Sequence, residues 1–388
     1  MKLILFFTRG VSLEVWLNQG LLEREKLIYE AHLEQGTLSE VVWLTYGSRD
    51  AALSTELHLA GTLDSRIKVV GMPRLFAVPK LGAIVYSLLM PLLNARLLCS
   101  ADVLKTNQLD GAWAAIVGRW LSGTPVLVRS GYVQSQLERN LRRLSGFHIW
   151  FIAFLERLSL STANRIVVAA PHNVDYLEAQ QGVPRARQTV LPNFIDTAQF
   201  VPGSQPKSAL PGNKTVYVGR FSPEKNLLEL VRACAITEIG LDLVGAGPQK
   251  GEIEALATEV GCEVSFLGKV PNHELPALFE GYQLYVLPSL NEGMPKAIIE
   301  AMACGMVCVG TEVTGIKEII EDGHNGFLSP GTDATALAST LERVTRLSAE
   351  ARDAVAKQAR ADAVDRYSLA AVAAAEKHLL ESMTQGAN

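Results

Sequence analysis

Short runs of β-branched and leucine side chains recur along the chain, separated by longer segments in which apolar positions return every three or four residues. The runs are KLILFF, EVVWLTY, PVLVRS and RIVVAA before residue 190, and KTVYVGR, LDLVGAG, EVSFLG, LYVLPS and VCVGT after residue 213. Continuous apolar runs of this length predict buried parallel strands, and their alternation with helical patterns predicts an α/β architecture. From Asp196 to Lys214 the segment DTAQFVPGSQPKSALPGNK is rich in Pro, Gly and Ser and has no periodic apolar positions. It predicts a linker over 197–213. One doubly wound domain is therefore expected over 1–196 and another over 214–364, with ligands in the cleft between them at the carboxyl ends of the strands. An Ala-rich helical pattern runs from Glu350 to Met383, and the end of the chain, 365–388, is expected to pack back onto the first domain.

Composition narrows the class. The 388 residues are 48% apolar and 20% charged, which excludes a disordered chain, a collagen and a coiled coil. The longest stretch without a charge, Leu81 to Ala95, is shorter than the roughly 18–20 residues of a spanning helix and is broken by Gly82, Pro91 and Asn94. Leu3 to Phe7 is too short for a secretory signal and predicts a first buried strand in a cytoplasmic protein. Five scattered cysteines without a CxxC predict reduced thiols rather than disulfides or a metal site. The net charge of −4 divides unevenly: residues 1–205 carry 20 Lys and Arg against 16 Asp and Glu, and residues 206–388 carry 16 against 24. A basic front half favours an anionic surface or acceptor, or is ordinary scatter of solvated charge. Without a dense Lys/Arg block, nucleic acid is not expected.

In VGRFSPEKNLLELVRA a strand precedes a helix, with Ser222 as N-cap and Pro223 at the first helical position. Arg220 then ends the strand and Lys225 falls in the first helical turn, where both could meet the oxygens of a diphosphate. Two solvated surface cations fit the same segment. The loop LVGAGPQKGEIEAL places Gly245 and Gly247 where the backbone turns from strand to helix. Its glycines run G-x-G-x-x-x-G, not the nicotinamide-binding G-x-G-x-x-G, so a dehydrogenase is disfavoured.

The segment LPSLNEGMPKAIIEAMACG predicts a strand over 284–287, a polar turn, and a helix over 295–304 with Pro295 at its first position and Gly305 past its end. Glu292 precedes that helix and Glu300 lies inside it, on the order of 10 Å away at the helical rise per residue. This span suits a sugar and a ribose on opposite sides of a diphosphate. In that reading Glu292 accepts hydrogen bonds from sugar hydroxyls, Glu300 grips the ribose diol, and the amides of Gly293 and Met294 complete the pocket. A helix-dipole acid and an exposed helical glutamate explain either residue singly.

Residues 215–330 resemble the donor domain of glycosyltransferase family 4, a retaining, nucleotide-sugar-dependent family with the GT-B fold of two doubly wound, Rossmann-like α/β domains and an interdomain cleft. The resemblance is carried by VGRFSPEKN, VGAGP, FLGKV, VLPSLNEGMPKAIIEAMACG and TGIKEIIEDGHNGFLSP. It extends more weakly through LPNFIDTAQFVP, with Asn193 and Asp196, and thinly over the first 190 residues. It implies Arg220 and Lys225 on the donor diphosphate and Glu292 on the donor sugar as the catalytic set. It further implies Glu300 on the ribose, Gly245, Gly293, Met294 and Pro295 in the donor pocket, and backbone near Lys269 and Val270 at the base. Gly10, after the first strand, would offer its amide to the diphosphate, or is an ordinary turn glycine; only one glycine stands where many relatives have two. Where many relatives carry a His, this chain reads PVLVRSGY. Arg129 or Ser130 then meets a sugar hydroxyl or phosphate, or the acceptor differs in kind.

The segment QLERNLRRLSGFHIWFIAFLERL carries Leu137, Leu141, Leu144, Phe151, Leu155 and Leu158 at helical spacing, with Arg139, Arg142 and Arg143 beside Phe147, Trp150 and Phe154. Such a helix either rests on an anionic membrane, as in a peripheral protein on the inner face of the cell membrane, or packs into the first domain. The low-charge segment 81–98 is expected to be a buried helix. The function implied is transfer of a hexose or N-acetylhexosamine from a UDP- or GDP-sugar to a glycan or lipid-linked acceptor, in cell-surface polysaccharide or glycolipid biosynthesis. No DxD pair occurs, so neither metal nor other cofactor is expected, and cations with helix amino termini would neutralise the leaving group. The estimated glutamate separation of about 10 Å exceeds the ≈ 5–5.5 Å of a double-displacement pair. The resemblance implies retention by front-face attack, with a donor phosphate oxygen taking the acceptor proton. The alternatives are a nucleotide-sugar epimerase and a catalytically silent sugar-nucleotide-binding protein.

Overall fold

The computed structural model describes residues 1–78, 81–131, 146–204 and 214–385, without the side chains of 146–149 and 151. The chain forms two compact units, Met1–Leu191 with Ala373–Asn388, and Pro192–Val372.

Among the described residues the first unit is built on seven strands, β1 (Lys2–Phe6), β2 (Glu40–Leu44), β3 (Ile67–Val70), β4 (Val103–Thr106), β5 (Val126–Ser130), β6 (Arg165–Val168) and β7 (Gln188–Val190). All pair in parallel, in the order β3-β2-β1-β4-β5-β6-β7. The second unit repeats the plan with β8 (Lys214–Val218), β9 (Gly240–Val244), β10 (Val264–Gly268), β11 (Leu284–Leu287), β12 (Val307–Thr311) and β13 (Phe327–Ser329), ordered β10-β9-β8-β11-β12-β13. Central strands such as β1, β9 and β12 are buried on both faces, which is why they read as unbroken apolar runs. The strand order reverses between β1 and β4 in one sheet and between β8 and β11 in the other. In such sheets the crevice outside the carboxyl ends at the reversal is the natural ligand position.

Two helical expectations are corrected. The Ala-rich pattern is not one helix but two, Ala349–Tyr367 and Leu369–Gln385, broken at Ser368 in an extended conformation. The break has a cause: Ile195 inserts into the ladder, its amide donating to the Tyr367 carbonyl and its carbonyl accepting from the Leu369 amide. Segment 81–98 forms the helices Gly82–Leu93 and Ala95–Leu98, and it is not a buried element. Tyr86, Ser87, Met90 and Pro91 face inward, whereas Ile84, Leu88, Leu92 and Leu93 are exposed. An uncharged helix offers no polar face from which its orientation could be read.

Leu137, Arg139, Leu141, Arg142, Arg143 and Leu144, expected on an amphipathic helix, lie outside the described residues, as do linker residues 205–213. The helix that is described runs from Gly146 to Thr162, with Trp150 and Phe154 exposed. Residues 373–385 are tied into the first unit by a buried ionic group. Glu376 accepts from the Lys105 ammonium of β4 at 2.5 Å and lies 3.0 Å from the His32 ring nitrogen.

Candidate functional site

At the carboxyl ends of β8, β9 and β10 the second unit opens a cavity of about 580 Å³, lined by Val218 to Arg220, Val244 to Pro248, Lys269 and Val270. Its floor is backbone laid on backbone. The Gly219 amide donates to the Val244 carbonyl, the Gly245 amide to Gly268 and the Phe221 amide to Ala246. Gly245 has φ +139°, and a Cβ there would collide with the Gly219 carbonyl oxygen; one on Gly247 would collide with that of Phe221. Only glycine permits this approach, which leaves a smooth concave wall between exposed Arg220 and Lys269. Behind it the buried Tyr217 hydroxyl donates to the Arg220 carbonyl at 2.9 Å. Burial, followed by the charges of Glu292 and Glu224, pushes the Tyr217 phenol up, so it remains a donor.

Lys225 is not in the first turn of the long helix. Ser222 does precede Pro223, but Pro223–Lys225 is a separate 3-10 turn, Asn226 follows with φ 57°, and the helix begins at Leu227. Asn226 holds the break open by donating to the carbonyls of Pro288, at 3.2 Å, and Thr332, at 2.7 Å. The Leu290 amide adds a bond to the Glu224 carbonyl. The turn is therefore fastened to the loop after β11, across the strand reversal. That fastening brings Lys225 Nζ to 2.5 Å from Glu292 Oε1, which also accepts from the Ser289 hydroxyl at 2.7 Å. Ser289 is buried and its carbonyl accepts from Thr311 Oγ1, so the carboxylate is held from below. Beside the pair, Glu224 sits low for a carboxylic acid: burial would raise it, but the Ser222 hydroxyl, its own backbone amide, Arg220 and Lys225 prevail.

The next helix is Lys296–Ala303, one residue shorter at each end than expected. Pro295 caps it in an extended conformation rather than opening it, because its ψ of 113° is outside the helical range. Glu300 is buried, not an exposed helical acid, and its Oε1 accepts from Asn272 Nδ2 at 3.0 Å. The loop carrying Gly293 and Met294 is packed tightly: a Cβ on Gly315 would collide with the carbonyls of Glu292 and Gly293, and the Met294 carbonyl accepts from Asn193 Nδ2 at 3.2 Å. Asn226, Asn272 and Ser289 were not singled out from the sequence. Signals existed: Ser289 sits three residues before Glu292, and Asn272 two after Val270.

Gly10, Arg129 and Ser130 belong to the first unit. Gly10 has φ +77° in the exposed turn after β1, a conformation that favours glycine. Arg129 and Ser130 end β5, where successive side chains point to opposite faces. Ser130 is buried, and Arg129 acts electrostatically on buried Lys105 and Tyr29. Among the described residues no group of three His, Cys, Asp or Glu side chains is arranged to hold a metal ion, and no helix is long and apolar enough to cross a membrane.

Two doubly wound parallel sheets, with cations and acids at the strand reversal of the second, are the architecture of a protein that binds a phosphate-bearing ligand at that reversal. Residues 40–193 match the family described as "Glycosyl transferase 4-like domain", and residues 204–362 match "Glycosyl transferases group 1". The chain belongs to glycosyltransferase family 4 and has the two-domain α/β GT-B fold. It is similar to the putative colanic acid biosynthesis glycosyltransferase WcaL of Escherichia coli K12, with 31% identity over 194 residues, covering 47% of this chain and 48% of that protein. It is also similar to the UDP-Gal:alpha-D-GlcNAc-diphosphoundecaprenol alpha-1,3-galactosyltransferase of Escherichia coli, with 24% identity over 262 residues, or 63% and 66% of the two chains. The matched segments thus span about half to two thirds of these relatives. Anabaena HepE, solved in complex with UDP, superposes with a TM-score of 0.75 at 18% identity over 98% of this chain and 100% of that one, a likeness of fold.

Proposed function

We propose that the protein is a retaining glycosyltransferase that moves a hexose or N-acetylhexosamine from a nucleoside-diphosphate sugar to a glycan or lipid-linked acceptor. The observation that carries the reading is the Lys225–Glu292 pair, held at the strand reversal beside the glycine-walled cavity of Arg220. Loss of a nucleoside diphosphate develops negative charge on the leaving phosphates, and fixed cations stabilise that charge without reorganising. Arg220 and Lys225 are suited to that role and would spare the reaction a divalent metal. Glu292 would accept from donor-sugar hydroxyls and Glu300 from the ribose, while backbone at Val270 would meet the base. A UDP-sugar is favoured by the UDP in the HepE structure, and a lipid diphosphate acceptor by the name of the galactosyltransferase relative. Membership of the family supports retention: a donor phosphate oxygen would take the acceptor proton as the new bond forms on the face the leaving group vacates.

The test is a thermal-shift screen of UDP-, GDP- and ADP-sugars, then transfer to lipid-linked acceptors with and without a chelator, with product configuration read by NMR. Stabilisation by one donor class and chelator-resistant transfer with retention are expected. Strict metal dependence, inversion, or isomerisation of the donor without any acceptor would each overturn part of the reading.

A further inference from the structure

The helix Gly82–Leu93 carries no charged residue, yet its outward face presents Ile84, Val85, Leu88, Leu89, Leu92 and Leu93, each between 37% and 57% exposed. A surface helix in water ordinarily turns charged residues outward; one that is apolar all round belongs in a core or in lipid. It packs along the helix Ala112–Ser122, which packs along Gly146–Thr162. These helices connect β3 to β4, β4 to β5 and β5 to β6, all advancing the same way across the sheet, so right-handed crossovers place them on one side. The second helix adds exposed Trp120; the third adds Trp150 and Phe154, stacked with ring centroids 6.0 Å apart and both more than half exposed. Three neighbouring helices thus share one apolar outer layer, of the kind that marks an interaction surface.

Charge selects the occupant. Between Asp64 and Asp102 the sequence contains no acidic residue. Arg74 and Arg96, both exposed, stand before and after the helix. An apolar face with exposed tryptophans and a cationic rim is complementary to a bilayer bearing anionic headgroups. A second copy of the chain fits less well, since a two-fold contact would set the same cationic rim against itself. We propose that this face of the first unit docks on an anionic lipid surface, with the leucines at the acyl boundary and Arg74 and Arg96 at the phosphates. The surface lies in the first unit, so the proposal stands apart from the donor-site reading.

The test is vesicle flotation of the full chain, comparing phosphatidylcholine vesicles with vesicles of equal parts phosphatidylcholine and phosphatidylglycerol. The protein is expected to float with the anionic vesicles and to be released as salt rises. The double variant Leu88→Asp/Leu92→Asp, at exposed positions, should melt as the parent does and lose binding roughly tenfold or more. Arg74→Gln/Arg96→Gln should keep the apolar face and lose the preference for phosphatidylglycerol. No flotation with either vesicle, or undiminished flotation of both variants, would overturn the proposal. So would a dimer that the leucine variant splits in sedimentation while leaving flotation intact, because the occupant would then be a second copy.

Discussion

The ammonium of Lys225 lies 2.5 Å from the carboxylate of Glu292, 67 residues further along the chain. The two groups sit on loops from the adjacent strands β8 and β11, joined by the Asn226 and Leu290 hydrogen bonds. Each neutralises the other, and a bound donor would draw them apart in function, phosphate oxygens taking the cation and sugar hydroxyls the acid. Lys225→Ala should lower kcat by about 10²–10³, the cost of removing a preorganised cation from a developing anion, and Glu292→Gln should lower turnover too, by loosening the hold on the sugar hydroxyls and on the Lys225 ammonium. Because the groups touch, the double variant should fall short of the product of the two losses, with a coupling of about 0.5–3 kcal/mol. Steady-state kinetics of all four proteins checks this; full turnover in both single variants would remove the pair from the mechanism.

Gly245→Ala should destabilise the second unit and abolish nucleotide stabilisation. The residue sits at φ +139° against the Gly219 carbonyl, so alanine meets both a strained backbone and a backbone collision. The conformational strain alone is about 1–3 kcal/mol. Thermal melts with and without UDP check it, with a lower melting temperature and no UDP-induced rise as the expected pair of results.

Glu300 and Asn272 should act on binding more than on chemistry. Their contact is 3.0 Å and Glu300 is buried, so a ribose hydroxyl would find a carboxylate already oriented. A grip on the ribose, remote from the broken bond, is held equally in ground and transition states. Glu300→Ala is therefore expected to raise the donor KM about tenfold or more while kcat changes little. A 2′-deoxyribose donor should narrow the difference between parent and variant; an equal difference with both donors would take the ribose away from Glu300.

How far the sequence could be read depended on whether a feature is local. The buried strands β1, β9 and β12 announce themselves as continuous apolar runs, and the site residues Arg220, Lys225, Gly245 and Glu292 lie in short motifs at strand ends. What the sequence concealed is set by partners distant along the chain. Asn226 breaks the expected helix because its amide reaches Pro288 and Thr332. Ile195 likewise splits the Ala-rich pattern at Ser368, which otherwise reads as one helix. The helix Gly82–Leu93 misled for another reason: hydropathy reports how apolar a face is and is silent on whether anything covers it.

The buried group of Lys105, Glu376 and His32 should make the first unit acid-sensitive. Burial would raise the Glu376 carboxyl, but the Lys105 charge and the bond to His32 outweigh it and hold it well below the ordinary 4.5. Lys105 is raised in turn: burial lowers it, and Glu376 overcomes that. A carboxyl depressed in the folded state contributes its full stability above pH 4.5 and loses it as pH falls toward the folded value. Glu376→Gln would leave the Lys105 ammonium buried without its counter-charge, a change that typically costs about 3–5 kcal/mol. The variant should therefore unfold at lower urea concentration than the parent at pH 7, and the gap should narrow as pH falls below 4.5, where the unfolded parent takes up a proton that the folded carboxylate still excludes. Lys105→Met/Glu376→Leu, which removes both charges, should be milder than Glu376→Gln at pH 7. A gap between parent and Glu376→Gln that stayed constant from pH 7 to pH 3 would show that the ionic group does not anchor the carboxyl-terminal helix.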